Sequence, residues 1–252
     1  MSAARYQGML QILRYNLPMY LAALAGCLAV ALAIALLPLP RPLAALAALG
    51  AAMGLLWSVS SLLASHYIYD RSPLSAWSWL SGLLPAPPRR WASLHAGLDE
   101  TFGELERLFP NGGTTLDVYD PREMTEPSIE RARRLAPTRA VVPATVADFR
   151  SLPFEDSSLD AVFLIFAAHE LRRPESRLLF FREIARSLAP GGRVVLVEHL
   201  RDARNFLVFG PGFVHFLARR EWLRLARESG LAVRQESRIT PFVAVLVLER
   251  PV

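Results

Sequence analysis

Two apolar strands joined by a helix are the feature that most constrains the fold of this chain. Residues 159–166 read LDAVFLIF, a predicted helix covers residues 175–188, and residues 193–198 read RVVLVE. Strands with so few polar positions are buried on both faces, as in a parallel sheet covered by helices. A Pro-Gly-Gly turn at residues 190–192 leads sharply into the second strand. The pattern predicts an α/β fold.

The same alternation extends from residue 91 to the C-terminus. Predicted strands cover residues 91–95, 114–119, 140–146, 159–166, 193–198, 232–237 and 243–248, and predicted helices cover residues 101–109, 126–135, 175–188 and 219–229. The last two strands are close in sequence, which indicates an antiparallel pair. We predict a Rossmann-like, doubly wound sheet of seven strands with the last one antiparallel, binding ligands at the carboxyl ends of its strands.

Two long segments near the N-terminus carry no charged residue. Residues 17–37 and 43–65 are each long enough to cross the roughly 30 Å hydrocarbon core of a bilayer as a helix. The proline-rich turn at residues 38–42 fits only an antiparallel hairpin between them. We predict a two-helix transmembrane hairpin, and the alternative is a buried helical hairpin of a soluble protein.

Arginine distribution predicts how such a hairpin is oriented. Arg5 and Arg14 precede the first segment, Arg71, Arg89 and Arg90 follow the second, and only Arg41 lies in the turn. Positive residues accumulate on the cytoplasmic side. The expected location is therefore the inner (cytoplasmic) membrane, with both termini and the catalytic domain facing the cytoplasm.

A segment rich in aromatic residues separates the hairpin from the α/β part. It contains Tyr67, Tyr69, Trp77 and Trp79, and Trp91 follows it. These rings suit a belt at the membrane interface, and the alternative is a lid packed on the following domain. The predicted organisation is a hairpin over residues 1–66, an interfacial segment and linker over 67–90, and an α/β domain over 91–252.

The basic charge of the chain does not indicate a nucleic-acid partner. The formal net charge is +5, and every basic residue other than histidine is arginine. The arginines are scattered among acids along predicted helices, whereas nucleic-acid binding calls for a basic stripe with exposed aromatic residues. Cys27, the one cysteine, has no partner for a disulfide or a zinc site.

The motif ADFRSLPFEDSSLDAV, followed at the right spacing by EIARSLAPGGRVVLVE, resembles one family. It is similar to class I S-adenosylmethionine (SAM)-dependent methyltransferases of type 11, the ubiquinone/menaquinone-methyltransferase-like branch, over roughly residue 91 to the C-terminus. The resemblance implies SAM as cofactor. It also implies that Asp148 holds the adenine amino group and that Phe149 contacts the adenine ring.

Further cofactor positions follow from the same resemblance. Asp120, followed by Pro121 and Met124 as in family members, corresponds to the acid that binds the ribose hydroxyls. Ala167, after the fourth strand, is also assigned to the cofactor. A plain Asp-Pro turn is the alternative for Asp120, and a loop acid is the alternative for Asp148.

The loop after the first strand departs from the family pattern of an acid followed by three glycines at alternate positions. His95 occupies the position of the acid, and Gly97 occupies that of the first glycine. Asp99 and Thr101 occupy the positions of the other two glycines. We expect these two side chains to point where SAM approaches the backbone, with Asp99 and Glu100 repelling its carboxylate. His95 and Gly97 are nevertheless assigned to cofactor binding.

Three of the five histidines follow strands that neighbour one another in this fold. His95, His169 and His199 come just after the first, fourth and fifth strands, with Asp99, Glu100, Glu170 and Glu198 nearby. Such a set could perform acid–base chemistry, ligate a divalent metal, or line separate loops. We predict His169 as the base and His199 as the second choice, and we assign no metal ligand. His215 is placed outside this edge.

The leading hypothesis is a membrane-anchored, SAM-dependent methyltransferase acting on a hydrophobic small-molecule or lipid acceptor. The apolar residues 206–216, broken by Gly-Pro-Gly, suit an acceptor pocket for a lipid or prenylated ring, or else a loop that covers the core. The alternatives are a scaffold that has lost SAM, and a metal-dependent enzyme that uses the histidine and acid cluster.

Overall fold

The computed structural model describes residues 6–97, 99, 101–135 and 144–252. Its helices are α1 (Gln7–Tyr15), α2 (Leu17–Leu36), α3 (Arg41–Ser65), α4 (Phe102–Leu108), α5 (Pro127–Leu135), α6 (Pro174–Ser187), α7 (Ala203–Phe209) and α8 (Arg219–Glu228). Its strands are β1 (Trp91–His95), β2 (Gly113–Asp117), β3 (Thr145–Val146), β4 (Leu159–Ile165), β5 (Leu188–His199), β6 (Ala232–Thr240) and β7 (Val243–Glu249).

The seven strands form one sheet in the order β3-β2-β1-β4-β5-β7-β6. The first five strands pair in parallel, whereas β7 is antiparallel to both β5 and β6. This confirms the predicted seven-stranded α/β sheet with an antiparallel last strand. Most of the predicted third strand, residues 140–143, lies outside the described residues.

Side chains of the central strands alternate between two apolar cores, one on each face of the sheet. On β4, Val162 and Leu164 pack with α6 and α8, where the largest buried side chain is Trp222. Ala161 and Phe163 point to the opposite face and pack with α4 and with residues that precede β1. The apolar runs seen in the sequence are therefore buried on both faces, as predicted.

Two strand boundaries differ from those expected. β2 ends at Asp117, two residues before the predicted end, so Asp120 lies in the following loop. β5 begins at Leu188, so the Pro-Gly-Gly segment belongs to the strand. Leu188 pairs with Leu159 and Arg193 pairs with Ala161, which makes the segment a bulge in β5.

The two apolar segments form an antiparallel hairpin of α2 and α3. The Tyr20 hydroxyl is 3.0 Å from the Ser61 hydroxyl, and the Cys27 thiol donates to the Ala51 carbonyl at 3.4 Å. By length and composition both helices are able to cross a membrane, and their most apolar stretches bury no residue within the protein. This exposure contradicts the alternative of a hairpin buried in a soluble protein.

Residues 67–90 cover the sheet instead of linking two separate units. A π-helical turn at His66–Arg71 places Ile68 in the second core, and the short helices Pro73–Ala76 and Ser78–Leu83 add Leu74 and Leu80. Trp91, expected at the membrane interface, is fully buried against Phe163 with ring centres 5.7 Å apart. The belt assignment of Trp91 is therefore wrong, whereas the belt and lid alternatives for Tyr67, Tyr69, Trp77 and Trp79 both stay predictions.

The hairpin also contacts the α/β part through α7. The rings of Trp57 and Phe206 meet edge to face at 5.6 Å, and the Ser60 hydroxyl donates to the Val208 carbonyl at 3.1 Å. Gly210 has a φ of +53°, and a Cβ there would overlap the Trp57 ring. Only glycine permits this approach of the turn to α3.

Candidate active site

A cleft of about 380 Å³ opens beyond the carboxyl ends of β2 and β3. The loops that follow these two strands form its walls. All four residues assigned to the nucleoside line it, namely Asp120, Pro121, Asp148 and Phe149. The structure thus brings the Asp120 and Asp148 carboxylates to one cleft, whereas Phe149 is fully buried in its wall.

Arg150 bridges the two carboxylates of this cleft. Its Nη1 donates to Asp120 Oδ2 at 3.0 Å and to Asp148 Oδ1 at 3.3 Å, and its Nη2 donates to Glu123 Oε1 at 3.1 Å. The guanidinium also lies 4.0 Å from the centre of the Phe149 ring. A nucleoside that uses these groups must therefore replace Arg150. Sequence reasoning missed this residue, although it follows Phe149 directly.

The pKa of Asp120 is lowered by these contacts. The backbone N–H of Arg122 donates to the Asp120 carboxylate at 2.9 Å and contributes most, and the Arg150 guanidinium adds to the effect. Both interactions favour the ionised form. Asp120 is therefore a carboxylate at neutral pH and is able to accept hydrogen bonds from hydroxyl groups.

A second arginine lies beside the glycine loop. Arg133 donates through Nη1 to Asp117 Oδ2 at 2.8 Å, and its guanidinium lies 3.9 Å from the centre of the Tyr119 ring. Gly97 has a φ of +92°, and a Cβ there would overlap the same guanidinium. Asp117 and Arg133 were not predicted, because the family resemblance assigned the acid to Asp120.

Asp99 does not face the cleft, contrary to the expectation from the sequence. Its Oδ1 accepts from the backbone N–H groups of Phe102 at 2.8 Å and Thr101 at 3.2 Å, and its Oδ2 accepts from the Thr115 hydroxyl. Asp99 therefore caps the start of α4. The Thr101 hydroxyl lies 3.3 Å from that of Ser93. The predicted repulsion by Glu100 falls outside the described residues.

His95 belongs to this loop. Its Nδ1 accepts from the Gly97 N–H at 3.0 Å, which places the ring proton on Nε2. That nitrogen is buried, lacks a hydrogen-bond partner and is 3.8 Å from Asp99 Oδ2. Burial lowers the pKa of His95, while the charges of Asp99 and Asp117 oppose the change.

A second group of ionisable residues lies in the loops after β4 and α7. His169 Nδ1 is 2.7 Å from Glu198 Oε2, and His169 Nε2 is 3.4 Å from Glu170 Oε1. Burial disfavours the imidazolium, but the two carboxylates outweigh it and raise the pKa of His169 to about 10. His169 is therefore protonated at neutral pH, and both of its ring nitrogens donate.

His215 joins this group, although the sequence placed it outside the edge. Its ring is 5.0 Å from that of His169 with the planes nearly perpendicular, and its Nδ1 is 3.7 Å from Glu126 Oε2. Burial and the charge of His169 lower the pKa of His215 to about 3. The residue lies in the short helix Gly210–His215, so only the tertiary fold brings it to His169.

His199 is enclosed by aromatic rings and uses both nitrogens. Nδ1 donates to the Phe242 carbonyl at 2.9 Å, so Nε2 accepts from the Tyr69 hydroxyl at 3.0 Å. The ring stacks between Phe166 and Phe216, with centres 5.0 Å and 4.8 Å away. Burial lowers the pKa of His199 to about 4, so the side chain is neutral at physiological pH.

The three predicted histidines therefore divide into two settings. His95 interacts with Asp99, Asp117 and Arg133 beside the glycine loop. His169 follows β4 and His199 ends β5, and the charge of His169 helps to lower the pKa of His199. Ala167 is buried two residues before His169. The predicted roles of His169 and His199 as bases stay predictions.

Comparisons with known proteins agree with this fold. The family model described as "Methyltransferase domain" matches residues 119–196, which include Asp120, Asp148 and His169. An uncharacterized methyltransferase of Mycobacterium tuberculosis (strain H37Rv) is 35% identical over 136 residues, or 52% of this chain and 47% of the relative. The chain thus matches about half the length of this curated relative.

Solved structures show the same fold at low sequence identity. Geranyl diphosphate C-methyltransferase from Streptomyces coelicolor A3(2) has a TM-score of 0.52 at 16% identity, over 73% of this chain and 82% of its own. A Haloferax volcanii complex of the Trm112 methyltransferase activator with a putative methyltransferase matches with a TM-score of 0.51 at 18% identity, over 78% of this chain and 98% of that one.

The strand order is that of the class I methyltransferase fold. Within this fold, residues 119–196 match the methyltransferase-domain family model.

Proposed function

We propose that this protein is a membrane-anchored, SAM-dependent methyltransferase that acts on a hydrophobic acceptor. The observation that carries the proposal is the cleft beyond β2 and β3, where Asp120 and Asp148 lie together with Phe149. In a doubly wound sheet this edge is where nucleotide-like ligands bind. Within the class, the ubiquinone/menaquinone-methyltransferase-like branch is our proposal for the closest subgroup.

The described residues fit SAM at both ends. Asp120 would accept from the ribose hydroxyls, Asp148 from the adenine amino group, and Phe149 would contact the adenine ring. Gly97 has no side chain, which lets the Arg133 guanidinium lie against its backbone where any Cβ would overlap it. A cation at that position favours the carboxylate of the methionine part.

SAM supplies an activated methyl group, so the protein has mainly to position the acceptor. The residues around His169 would hold that acceptor on the side of the sheet next to α7. The imidazolium of His169 would stabilise negative charge on an acceptor oxygen. His199, neutral and bonded to Tyr69, would keep the aromatic wall in place.

Several contacts support an acceptor that comes from the membrane. Trp57 of α3 contacts Phe206. Along α3, Trp57 lies four residues before Ser61 and is therefore roughly 6 Å nearer to the hairpin turn. Because Ser61 lies opposite Tyr20 of α2, the contact is within the apolar part of the hairpin. On the same face, Leu207 and Val214 are exposed by 71% and 56%. If the hairpin spans a bilayer, α7 lies in its cytoplasmic leaflet, beside the proposed acceptor pocket.

Calorimetric titration of the full chain in detergent with SAM and with S-adenosylhomocysteine tests the cofactor. We expect binding to one site. No heat at millimolar SAM, from the wild type and from Arg150→Ala alike, would reject the proposed activity.

The contacts of Arg150 favour a second candidate, a methyltransferase-like scaffold that does not bind SAM. In such a protein Arg150 would keep the two carboxylates permanently occupied. Binding by Arg150→Ala together with no binding by the wild type would favour the scaffold over the enzyme.

Membrane anchoring is tested on cell membranes. We expect the full chain to stay in the membrane pellet after washing at alkaline pH, because two apolar helices hold it there. Protease added to sealed, right-side-out spheroplasts should leave the α/β domain intact. Release into the supernatant would contradict the anchor, and cleavage would contradict the orientation.

A further inference from the structure

The histidine pocket, formed by His169, Glu170, Glu198 and His215, contains more ionisable groups than the stabilisation of one acceptor oxygen requires. His169, Glu170 and His215 each present one ligand atom, and these atoms all lie within 4.8 Å of one another. His169 and Glu170 come from the short helix after β4, and His215 comes from the turn after α7. Two separate loops therefore converge on one point.

The pocket orients His169 in the way that metal sites orient their histidines. Glu198 Oε2 is bonded to Nδ1 of His169 at 2.7 Å, and Glu198 Oε1 accepts from the His169 backbone N–H at 3.3 Å. A carboxylate on one ring nitrogen fixes the ring and makes the other nitrogen a better ligand. The other nitrogen, Nε2, lies 3.4 Å from Glu170 Oε1, and a metal ion bound there would displace its proton.

Arg172 holds the two ligand-bearing loops together. Its Nη1 donates to the backbone carbonyls of His169 at 3.2 Å and His215 at 2.7 Å. Its Nε lies 3.4 Å from Glu126 Oε1. These contacts fix the backbone on both sides of the cluster, which limits the reorganisation that a ligand would require.

One polar atom of the cluster is unsatisfied. Glu170 Oε2 is buried and has no hydrogen-bond partner. Glu170 and Glu198 are 6% and 1% exposed, so both carboxylates are removed from water. Buried acceptors without partners are costly, and a cation would satisfy this one directly.

We propose that His169, Glu170 and His215 bind a divalent transition-metal ion, with Glu198 as the carboxylate that orients His169. Two imidazoles and one carboxylate suit Zn²⁺, Co²⁺, Mn²⁺ or Fe²⁺ better than Mg²⁺, which prefers oxygen ligands. Ligand atoms around a tetrahedral ion lie about 3.3 Å apart, so the ion would draw His215 inward by about an ångström.

Three protein ligands leave at least one coordination position open. An oxygen atom of the acceptor would fit there, and the ion would lower the pKa of a hydroxyl bound to it. This use of the ion depends on the proposed function, whereas the site itself does not. Metal binding is therefore measured without SAM, and either proposal can fail alone.

The test uses the full chain in detergent, without a histidine tag, stripped with chelator and dialysed against Co²⁺ or Zn²⁺. We expect about one ion per chain by elemental analysis, visible absorption bands for the Co²⁺ form, and higher thermal stability with Zn²⁺ than with Mg²⁺. Glu170→Gln and His215→Ala should each lower affinity at least tenfold and remove the Co²⁺ bands.

His66→Gln is the matched control, because it removes a histidine paired with an acid outside the cluster. It should keep the ion and its spectrum. Glu170→Gln preserves side-chain shape, so its metal-free melting temperature shows whether a loss of binding arises from misfolding. The proposal would be overturned if the folded wild type failed to retain stoichiometric Co²⁺ or Zn²⁺. It would also be overturned if Glu170→Gln and His215→Ala bound the ion as tightly as the wild type.

Discussion

The cleft beyond β2 and β3 and the histidine pocket beyond β4 both contain carboxylates paired with cations, but the His169–Glu198 pair of the pocket is far more buried than the Asp120 and Asp148 pairs of the cleft. In the cleft, the Asp120 and Asp148 side chains are 22% and 55% exposed, and their partner Arg150 is 38% exposed. In the pocket, the His169 and Glu198 side chains are 9% and 1% exposed.

This difference determines what each region can exchange. Exposed ion pairs contribute little to stability, so a polar ligand can replace Arg150 at small cost. Breaking a buried pair leaves one charge without water or a partner, which is strongly destabilising. The cleft is therefore suited to reversible binding of a nucleoside, and the pocket is suited to holding charge at a fixed place.

The largest expected effect is from Glu198→Gln, which leaves His169 without its closest carboxylate. We expect the free energy of unfolding to fall by about 3 to 5 kcal/mol, measured by denaturant unfolding of the full chain in detergent. Glu236→Gln removes an exposed partner of Arg219 and should change the free energy of unfolding by less than about 0.5 kcal/mol. Similar losses in both variants would remove the distinction between buried and exposed pairs.

The next effect concerns pH and His199. Its pKa is about 4 in the folded protein and 6.5 in a model peptide, so the unfolded chain takes up the proton first as pH falls. Above pH 6.5 the neutral His199 contributes about 3 kcal/mol to the free energy of unfolding, and this contribution is lost as the pH falls toward 4. His199→Gln should flatten the pH dependence of unfolding over this range. An unchanged slope would show that His199 is accessible to water.

A smaller effect is expected in the cleft from Asp120→Ala. Losing charged hydrogen bonds to the ribose should weaken SAM binding about 30-fold, or about 2 kcal/mol, without loss of folding. Calorimetric titration measures it. Asp156→Ala, an exposed partner of Arg186 outside the cleft, is the control and should bind as the wild type does. Equal affinities for both variants would place the ribose elsewhere.

The smallest effect is from Arg150→Ala, which frees both cleft carboxylates. SAM should bind about fivefold more tightly, because exposed ion pairs contribute only about 1 kcal/mol. Arg122→Ala, on the same loop wall, is the matched control and should leave affinity unchanged. Weaker binding by Arg150→Ala would mean that the guanidinium contacts the cofactor and does not compete with it.

Much of the fold could be predicted from local patterns. The apolar runs of β4 and β5 require burial on both faces, and the helices between strands require parallel pairing, which the sheet shows. The strand boundaries were harder to predict, because the Pro-Gly-Gly segment has the sequence of a turn but forms a bulge within β5. Trp91 was misassigned, because aromatic residues near an apolar hairpin suit an interface and a core equally well.

The sequence by itself determined the α/β class, the apolar hairpin and the cleft residues Asp120 and Asp148, because these depend on periodicity and on a motif within a short stretch of chain. Only the tertiary structure decided where the charges meet. Arg150 turns back onto the cleft, Asp99 turns inward to cap α4, and His215 reaches His169 across 46 residues of sequence. Side-chain direction and burial determine these contacts and the pKa values that follow from them. Both depend on the tertiary fold and cannot be deduced from the order of residues along the chain.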